Sequence, residues 1–264
     1  MTRSPLLAAK RVGQTLTAFP NGGKVLWDLA RGSELLEVKT KSGLTITCPN
    51  VAGARVPLYE LFAEDAYLIG ELIADLPSDF VAMDVGGHIG CFSTSLSQAA
   101  PKAQIHAFEA SASTADFLDK NIAQNGMTGR IHAHRTALSD HHGTLSFASS
   151  VLGGGLNGMT SPDEDTNVVE VPCITFAEAV ALAGGHVDLV KMDVEGAEYP
   201  IVLGSKPADW AGIRRIVMEF HGVPGKHWHE LRDFFAEAGF TIKRTEFFAT
   251  GYGMLWAEAA PATA

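Results

Sequence analysis

Residues 80–95 read FVAMDVGGHIGCFSTS. The run climbs through apolar residues to Asp84, turns through Gly86, Gly87 and Gly90, and then opens a stretch with helical character. Strand, tight glycine turn and helix start are the opening unit of an α/β sheet. Downstream the same alternation recurs. AQIHAFEA, IHAHRTAL, VDLVKMDV and IRRIVMEF are apolar runs separated by helical segments, the first of them over residues 112–125. Near-continuous apolar strands indicate a parallel sheet covered on both faces. A helix over 226–238 then leads to FTIKRTEFF and GMLWAEA, spaced as an antiparallel pair at one sheet edge. The expected fold is therefore a Rossmann-like, seven-stranded, mostly parallel sheet with helices on both faces.

Two regions depart from that rhythm. Residues 1–76 carry a hairpin signal, LLEVKT-KSG-LTITCPN (35–50), and one helical stretch over 58–76, and are read as a cap before a main domain at 77–264. Residues 141–175 hold TLSFASS, LGGGLNG, SPDEDTN and VVEVPCI, read as a hairpin-bearing insertion before the fourth strand. GGGLNG (153–158) matches Gly-x-Gly-x-x-Gly, but no helix opens after it, so it is read as a loop and not as a dinucleotide site.

The bulk composition narrows the function. Among 264 residues, 46% hydrophobic, a formal charge of -10 and no basic run argue against a nucleic-acid partner. No apolar stretch approaches the ~20 residues of a membrane span, and the apolar part of MTRSPLLAAKRVGQ is too short for a secretory signal, so a cytoplasmic location is expected. Cys48, Cys91 and Cys173 match no metal-ligand spacing and read as reduced, packed thiols.

In open parallel sheets ligands bind at the carboxyl ends of the strands, where Asp84, Gly86, Gly87 and Gly90 fall. Glycine lets a ligand approach the backbone, and the helix that follows offers unpaired N–H groups. The next strand ends in Glu109, placed to accept the two hydroxyls of a ribose. No Gly-Lys-Ser/Thr phosphate loop follows, and His88 stands where a dinucleotide motif would have its second glycine.

MDVGGHIG, AFEAS, NIAQNG, TALSD, LVKMDVEGAE and IVMEFHG together resemble the FkbM-type methyltransferases of the class I fold, over roughly residues 58–222. The family's first loop commonly reads Asp-Val-Gly-Ala-Asn-Ile-Gly, so Gly87 replaces Ala and His88 replaces Asn. His88 fits if the position needs a positive φ, which Asn, Asp and His tolerate better than other residues. The family's acid-Pro becomes Glu109-Ala110-Ser111, which keeps the carboxylate. The resemblance implies S-adenosyl-L-methionine as cofactor, Ala137 and Leu138 against the adenine with Asp140 near its amino group, and Asp193 near the sulfonium and the acceptor.

Methyl transfer to an alcohol needs in-line alignment and removal of a proton. Alternation puts Lys191 and Asp193 on one face of the fourth strand, and Glu219 and His221 on one face of the fifth. Lys191 is expected to pair with Glu219, and His221 to act as general base, with Asp193 as the alternative. Asp193, Glu219 and His221 could instead hold Mg²⁺ between two hydroxyls of a diol; this is not favoured, because such a site usually presents more carboxylates. His227 and His229 read as surface residues, His141 and His142 fall in a turn with no spacing argument, and Tyr67 and Glu64 could reach the site from the cap helix, with core packing favoured for Tyr67. The leading expectation is an O-methyltransferase acting on a hydroxyl of a small secondary metabolite, sugar or glycolipid precursor. A nicotinamide-dependent oxidoreductase and a non-catalytic adenosyl-binding module are the alternatives. The N-terminal hairpin offers an edge for a homodimer.

Overall fold

The computed structural model describes residues 5–149 and 167–260; the GGGLNG loop lies outside them. Along the chain come α1 (Pro5–Ala18), α2 (Gly22–Ala30), the hairpin β1 (Leu35–Lys39) and β2 (Thr45–Pro49), α3 (Ala52–Phe62) and α4 (Ile69–Ile73). Next are β3 (Val81–Val85), α5 (Cys91–Ala99), β4 (Gln104–Phe108), α6 (Ala112–Gln124), β5 (Ile131–His134) and β6 (Ala137–Ser139). Then follow β7 (Gly143–Ser149), β8 (Asn167–Thr175), α7 (Phe176–Leu182), β9 (Leu189–Met192), α8 (Glu198–Gly204), β10 (Arg215–Phe220), α9 (Trp228–Glu237), β11 (Phe240–Ala249) and β12 (Tyr252–Ala259).

The main sheet has seven strands in the order β11-β12-β10-β9-β3-β4-β5, parallel except around β12, which runs antiparallel to both neighbours. The chain moves outward from β3 to β5 and then returns to β9 on the other side of β3. That reversal opens a crevice at the carboxyl ends of β3 and β9. One apolar core, with Leu36, Ile46, Leu96 and Ile105, lies under the N-terminal helices and hairpin; a second, with Tyr199, Trp210, Phe220 and Phe235, lies on the side of α7, α8 and α9. No helix among the described residues is long and apolar enough to cross a membrane. The three cysteines are free and buried.

The structure corrects two local expectations. The helix expected over 58–76 starts at Ala52 and breaks before α4, because Asp65 (φ 48°) and Leu68 (φ 53°) take left-handed backbone that no helix can contain. IHAHRTAL is two strands: β5 ends the main sheet, while β6 pairs with β8 in a separate three-stranded sheet with β7. Several outward backbone groups of the hairpin are bonded within the chain. Asn121 accepts from the Thr47 N–H at 2.8 Å and donates to its carbonyl at 3.0 Å, while Asn125 does the same for Thr45 at 2.9 and 2.8 Å. On the other edge, Asn21 donates to the Glu37 carbonyl and accepts from the Lys39 N–H, both at 2.9 Å. Asn121 also donates to the Ile89 carbonyl at 2.7 Å, which ties this amide ladder to the glycine turn.

Candidate active site

A cavity of about 480 Å³ opens at the carboxyl ends of β3, β4, β9 and β10, with residues of α3 across its mouth. Its first wall is the glycine turn. Gly86 (φ 81°) lies so close to the loop after β9 that an added Cβ would sit 1.9 Å from the Asp193 carbonyl oxygen. Gly90 (φ 85°) packs with equal economy, since a Cβ there would stand 2.8 Å from Leu118. His88 has φ 48°, as expected for a residue replacing Asn at this turn. Burial holds its imidazole neutral, with a pKa lowered to about 4, and its Nδ1 is buried without a hydrogen-bond partner.

Glu109 forms the second wall. Its two carboxylate oxygens accept from the His88 and Ser111 N–H groups, each at 2.8 Å, so the strand-end acid is fastened to the glycine turn. Burial raises its pKa to about 7 even though those bonds favour the charged form. Each oxygen retains a further acceptor direction. Ala110, Ala137 and Leu138 continue this wall, and Gly87 lies at the turn between the two. Ser111 and Gly90 stand behind the lining and support it. Asp140 lies outside the cavity, where it accepts a hydrogen bond from His141 at 2.7 Å.

Lys191 does not pair with Glu219. Its ammonium is 3.1 Å from Asp84 and donates to the Gly86 carbonyl at 2.7 Å. Register gives the reason: Lys191 is level with Asp84 on β3 and with Val217 on β10, so Glu219 lies two residues further on, beside Asp193. Asp84 is fully buried, with Ser93 donating to its other oxygen at 2.6 Å. It therefore fixes Lys191 and the turn from beneath instead of lining the cavity. Burial opposes the charge of Lys191, but Asp84 and Asp193 outweigh it and raise its pKa.

The far wall is acidic. Tyr67, expected as packing, donates its hydroxyl to Asp193 at 3.2 Å, and Tyr252 donates to Glu219 at 2.5 Å. His221 sits just behind the lining. Its Nδ1 is 2.9 Å from the fully buried Glu198, and its Nε2 faces Glu195 at 3.5 Å and Glu219 at 3.7 Å. Although burial opposes its charge, Glu198 and the other carboxylates raise its pKa to about 9. Burial, with Asp193 nearby, raises Glu219 to about 8, and burial raises Glu60 and Glu195 to about 7. Ligand atoms of Asp193, Glu219 and His221 lie within 4.8 Å of one another.

Glu60, Glu195, Glu198 and Tyr252 are site residues that the pattern of strands did not single out. Glu195 and Glu198 lie within the quoted motif KMDVEGAE, and their readable signal was two further acids directly after a strand-end aspartate. Tyr252 enters from the antiparallel edge, and only sheet order reveals it. Glu64 stays at the surface with Lys10 and Arg11.

The turn at Gly86, which leaves no room for a side chain, and the buried Glu109 on the neighbouring strand fit an adenosine-containing ligand. Together with the strand order and its antiparallel β12, they define a Rossmann-like fold of the methyltransferase type. Residues 84–242 match the methyltransferase FkbM domain, and the chain belongs to that family. It is an S-adenosylmethionine-dependent methyltransferase. The 31-O-demethyl-FK506 methyltransferase FkbM of Streptomyces tacrolimicus is 26% identical over 224 residues, 73% of this chain and 85% of that protein. Methyltransferase sdnD of Sordaria araneosa is 27% identical over 218 residues, 70% of this chain and 81% of its own. Among solved structures, a SAM-dependent methyltransferase from Agrobacterium tumefaciens shares the fold with a TM-score of 0.50 at 11% identity, over 87% of this chain and 71% of that one.

Proposed function

We propose that this chain methylates a hydroxyl oxygen of a small molecule, a secondary metabolite, sugar or glycolipid precursor. The observation that supports it is one cavity lined by the glycine turn and Glu109 and also by Asp193 and Glu219, with His221 close behind the last two. S-adenosylmethionine, when bound, supplies an electrophilic methyl group on a sulfonium. In this reading Glu109 accepts the ribose hydroxyls, Gly86, Gly87 and His88 pass beneath the ligand, and Ala110, Ala137 and Leu138 contact its base. Ser111 and Gly90 hold that wall, while Asp84 and Lys191 hold the turn at its floor. Asp193 stands between the cofactor and acceptor ends, and the acceptor's proton leaves toward Asp193, Glu219 and the Glu198-oriented His221.

The acceptor end carries Glu60, Asp193, Glu195 and Glu219, and its one lysine, Lys191, is already engaged by Asp84, so a phosphorylated or carboxylated acceptor finds no free lysine or arginine among the described lining residues. The lack of a free lysine or arginine there and the net charge of -10 disfavour nucleic acid. The Streptomyces relative is named for an O-methyl transfer, in keeping with this chemistry. Membership in a methyltransferase family weighs against the nicotinamide reading.

Calorimetric titration with S-adenosylmethionine, S-adenosylhomocysteine and NADH tests the cofactor end. Both adenosyl ligands should bind, and Glu109→Ala should weaken them about tenfold to a hundredfold, the ~1.5–3 kcal/mol of a hydrogen bond to a charged group. Preference for NADH would sink the reading. A screen of hydroxylated against amine and carboxylate acceptors, read as transferred methyl, then tests the oxygen assignment; methylation of amines alone would overturn it.

A further inference from the structure

We infer that Asp193, Glu219 and His221 form a site for a hard divalent cation, Mg²⁺ or Mn²⁺, at the acceptor end of the cavity. This rests on the O-methyltransferase reading and specifies how the hydroxyl is handled. Three ligand atoms, one from each residue, already lie within 4.8 Å of one another. Around an octahedral ion with bonds of about 2.1 Å, ligands stand about 3.0 Å apart when adjacent and about 4.2 Å apart when opposite. Shifts of up to about an ångström per ligand therefore close the set on an ion by that geometry.

The groups behind the three ligands point the same way. A metal-bound histidine characteristically gives its other ring N–H to a carboxylate, which fixes the tautomer and aims the free nitrogen. Glu198, fully buried, takes that place on Nδ1 of His221 at 2.9 Å and leaves Nε2 toward Glu219. Tyr67 and Tyr252 each bond one oxygen of Asp193 and of Glu219. The second oxygen of Glu219, a side chain only 8% exposed that lines the cavity, has no hydrogen-bond partner among the described residues. A largely buried carboxylate with one donor for its two oxygens, the other oxygen facing a cavity, is placed to take a proton or a cation there.

Charge gives an independent reason. Lys191 is the one lysine or arginine among the described residues lining the cavity, and Asp84 engages it. Glu60, Asp193, Glu195 and Glu219 all line the cavity, so its acids outnumber the cationic groups near them, Lys191 and His221. The sequence objection, too few carboxylates for magnesium, is eased by Glu60 and Glu195, which line the same cavity without joining the three close ligand atoms. Oxygen and imidazole ligands without a thiolate suit Mg²⁺ or Mn²⁺ better than a soft metal. An ion held by three protein groups keeps further positions for two neighbouring acceptor oxygens, and binding lowers the pKa of the hydroxyl to be methylated. The acceptor class is then a vicinal diol or hydroxyketone.

Mn²⁺ titration of the S-adenosylhomocysteine-loaded protein, followed by loss of the free-ion EPR signal, tests the site. One Mn²⁺ per chain should bind and be displaced by Mg²⁺. Glu219→Gln and His221→Ala should each weaken it more than tenfold, and Glu198→Gln about tenfold, within the ~10–100-fold effect of an orienting partner. S-adenosylhomocysteine binding by the same variants shows that they fold. No Mn²⁺ uptake by the loaded wild-type protein, or equal uptake by the variants, overturns the site. Methyl transfer that persists under chelation, with no uptake, removes the cation and leaves the O-methyltransferase reading standing. Failure to bind any adenosyl ligand removes both.

Discussion

Gly86 shows how much one residue can constrain. Its backbone is left-handed at φ 81°, and a Cβ would meet the Asp193 carbonyl, a backbone atom that cannot rotate away. Gly86→Ala should therefore cost more than the ~1–3 kcal/mol of backbone strain alone, read by urea unfolding, and should reduce S-adenosylhomocysteine affinity in parallel. Glu109 carries a different signature. Its pKa rises from 4.5 to about 7 on folding, so the folded state holds a proton that the unfolded chain has released. That contribution to stability is fully present below pH 4.5 and is lost as pH rises through about 7. Glu109→Gln should accordingly gain stability relative to wild type between pH 5 and pH 8, whatever its fixed offset from altered hydrogen bonds. Paired denaturation curves at about those two pH values check it; a constant difference would mean that Glu109 ionises normally in the fold. Gly86, His88 and Glu109 were legible because backbone sign and strand-end position leave a mark on residue type. Lys191 was legible as an inward charge, but its partner depends on strand register, which local sequence does not state.

At the scale of elements, apolar runs identified the strands of the main sheet because burial on both faces excludes polar residues from them. Where an element is set by something other than apolar periodicity, sequence misled. Ile131 through Leu138 looked continuous, yet the chain leaves the main sheet after His134 and enters another at Ala137. The amide ladder is the clearest case of an unseen device. Asn121 and Gln124 on α6 and Asn125 at its C-cap together serve the backbone of Thr45 and Thr47 on an otherwise open strand edge. A polar stripe reads as solvated surface until the strand opposite it is known. Asn121→Ala leaves the Thr47 N–H and carbonyl and the Ile89 carbonyl short of a partner, and Asn121 is fully buried. The expected loss is about 2–4 kcal/mol, since buried groups left unpaired cost ~1–3 kcal/mol each and some will find water. Because Ile89 belongs to the glycine turn, adenosyl affinity should fall as well. Loss of stability with unchanged affinity would show that the hairpin and the turn are independent.

At the scale of the molecule, the cavity lies where the two apolar cores meet. Leu61, Tyr67 and Phe92 reach it from the core under the N-terminal helices, and Val85, Phe108 and Leu138 reach it from the core beside α7 and α8. A ligand placed there touches both sides at once, so its binding energy should stabilise the two cores together. At a concentration 100 times its dissociation constant, S-adenosylhomocysteine should add ~2.7 kcal/mol, or about 5–10 °C in Tm for a chain of this size. Scanning calorimetry should show one cooperative transition, with and without ligand, moving as a whole. The reason is physical: the sheet is shared, β3 and β9 at its centre contribute side chains to both cores or to the turn between them, and neither core is closed without it. Two transitions of which only one shifts would mean that the N-terminal elements fold as a separate unit, with the cavity belonging to one core. In that case truncation before Phe80 would leave adenosyl binding intact; in a single cooperative molecule the same truncation removes Glu60 and Tyr67 from the cavity wall and abolishes both folding and binding.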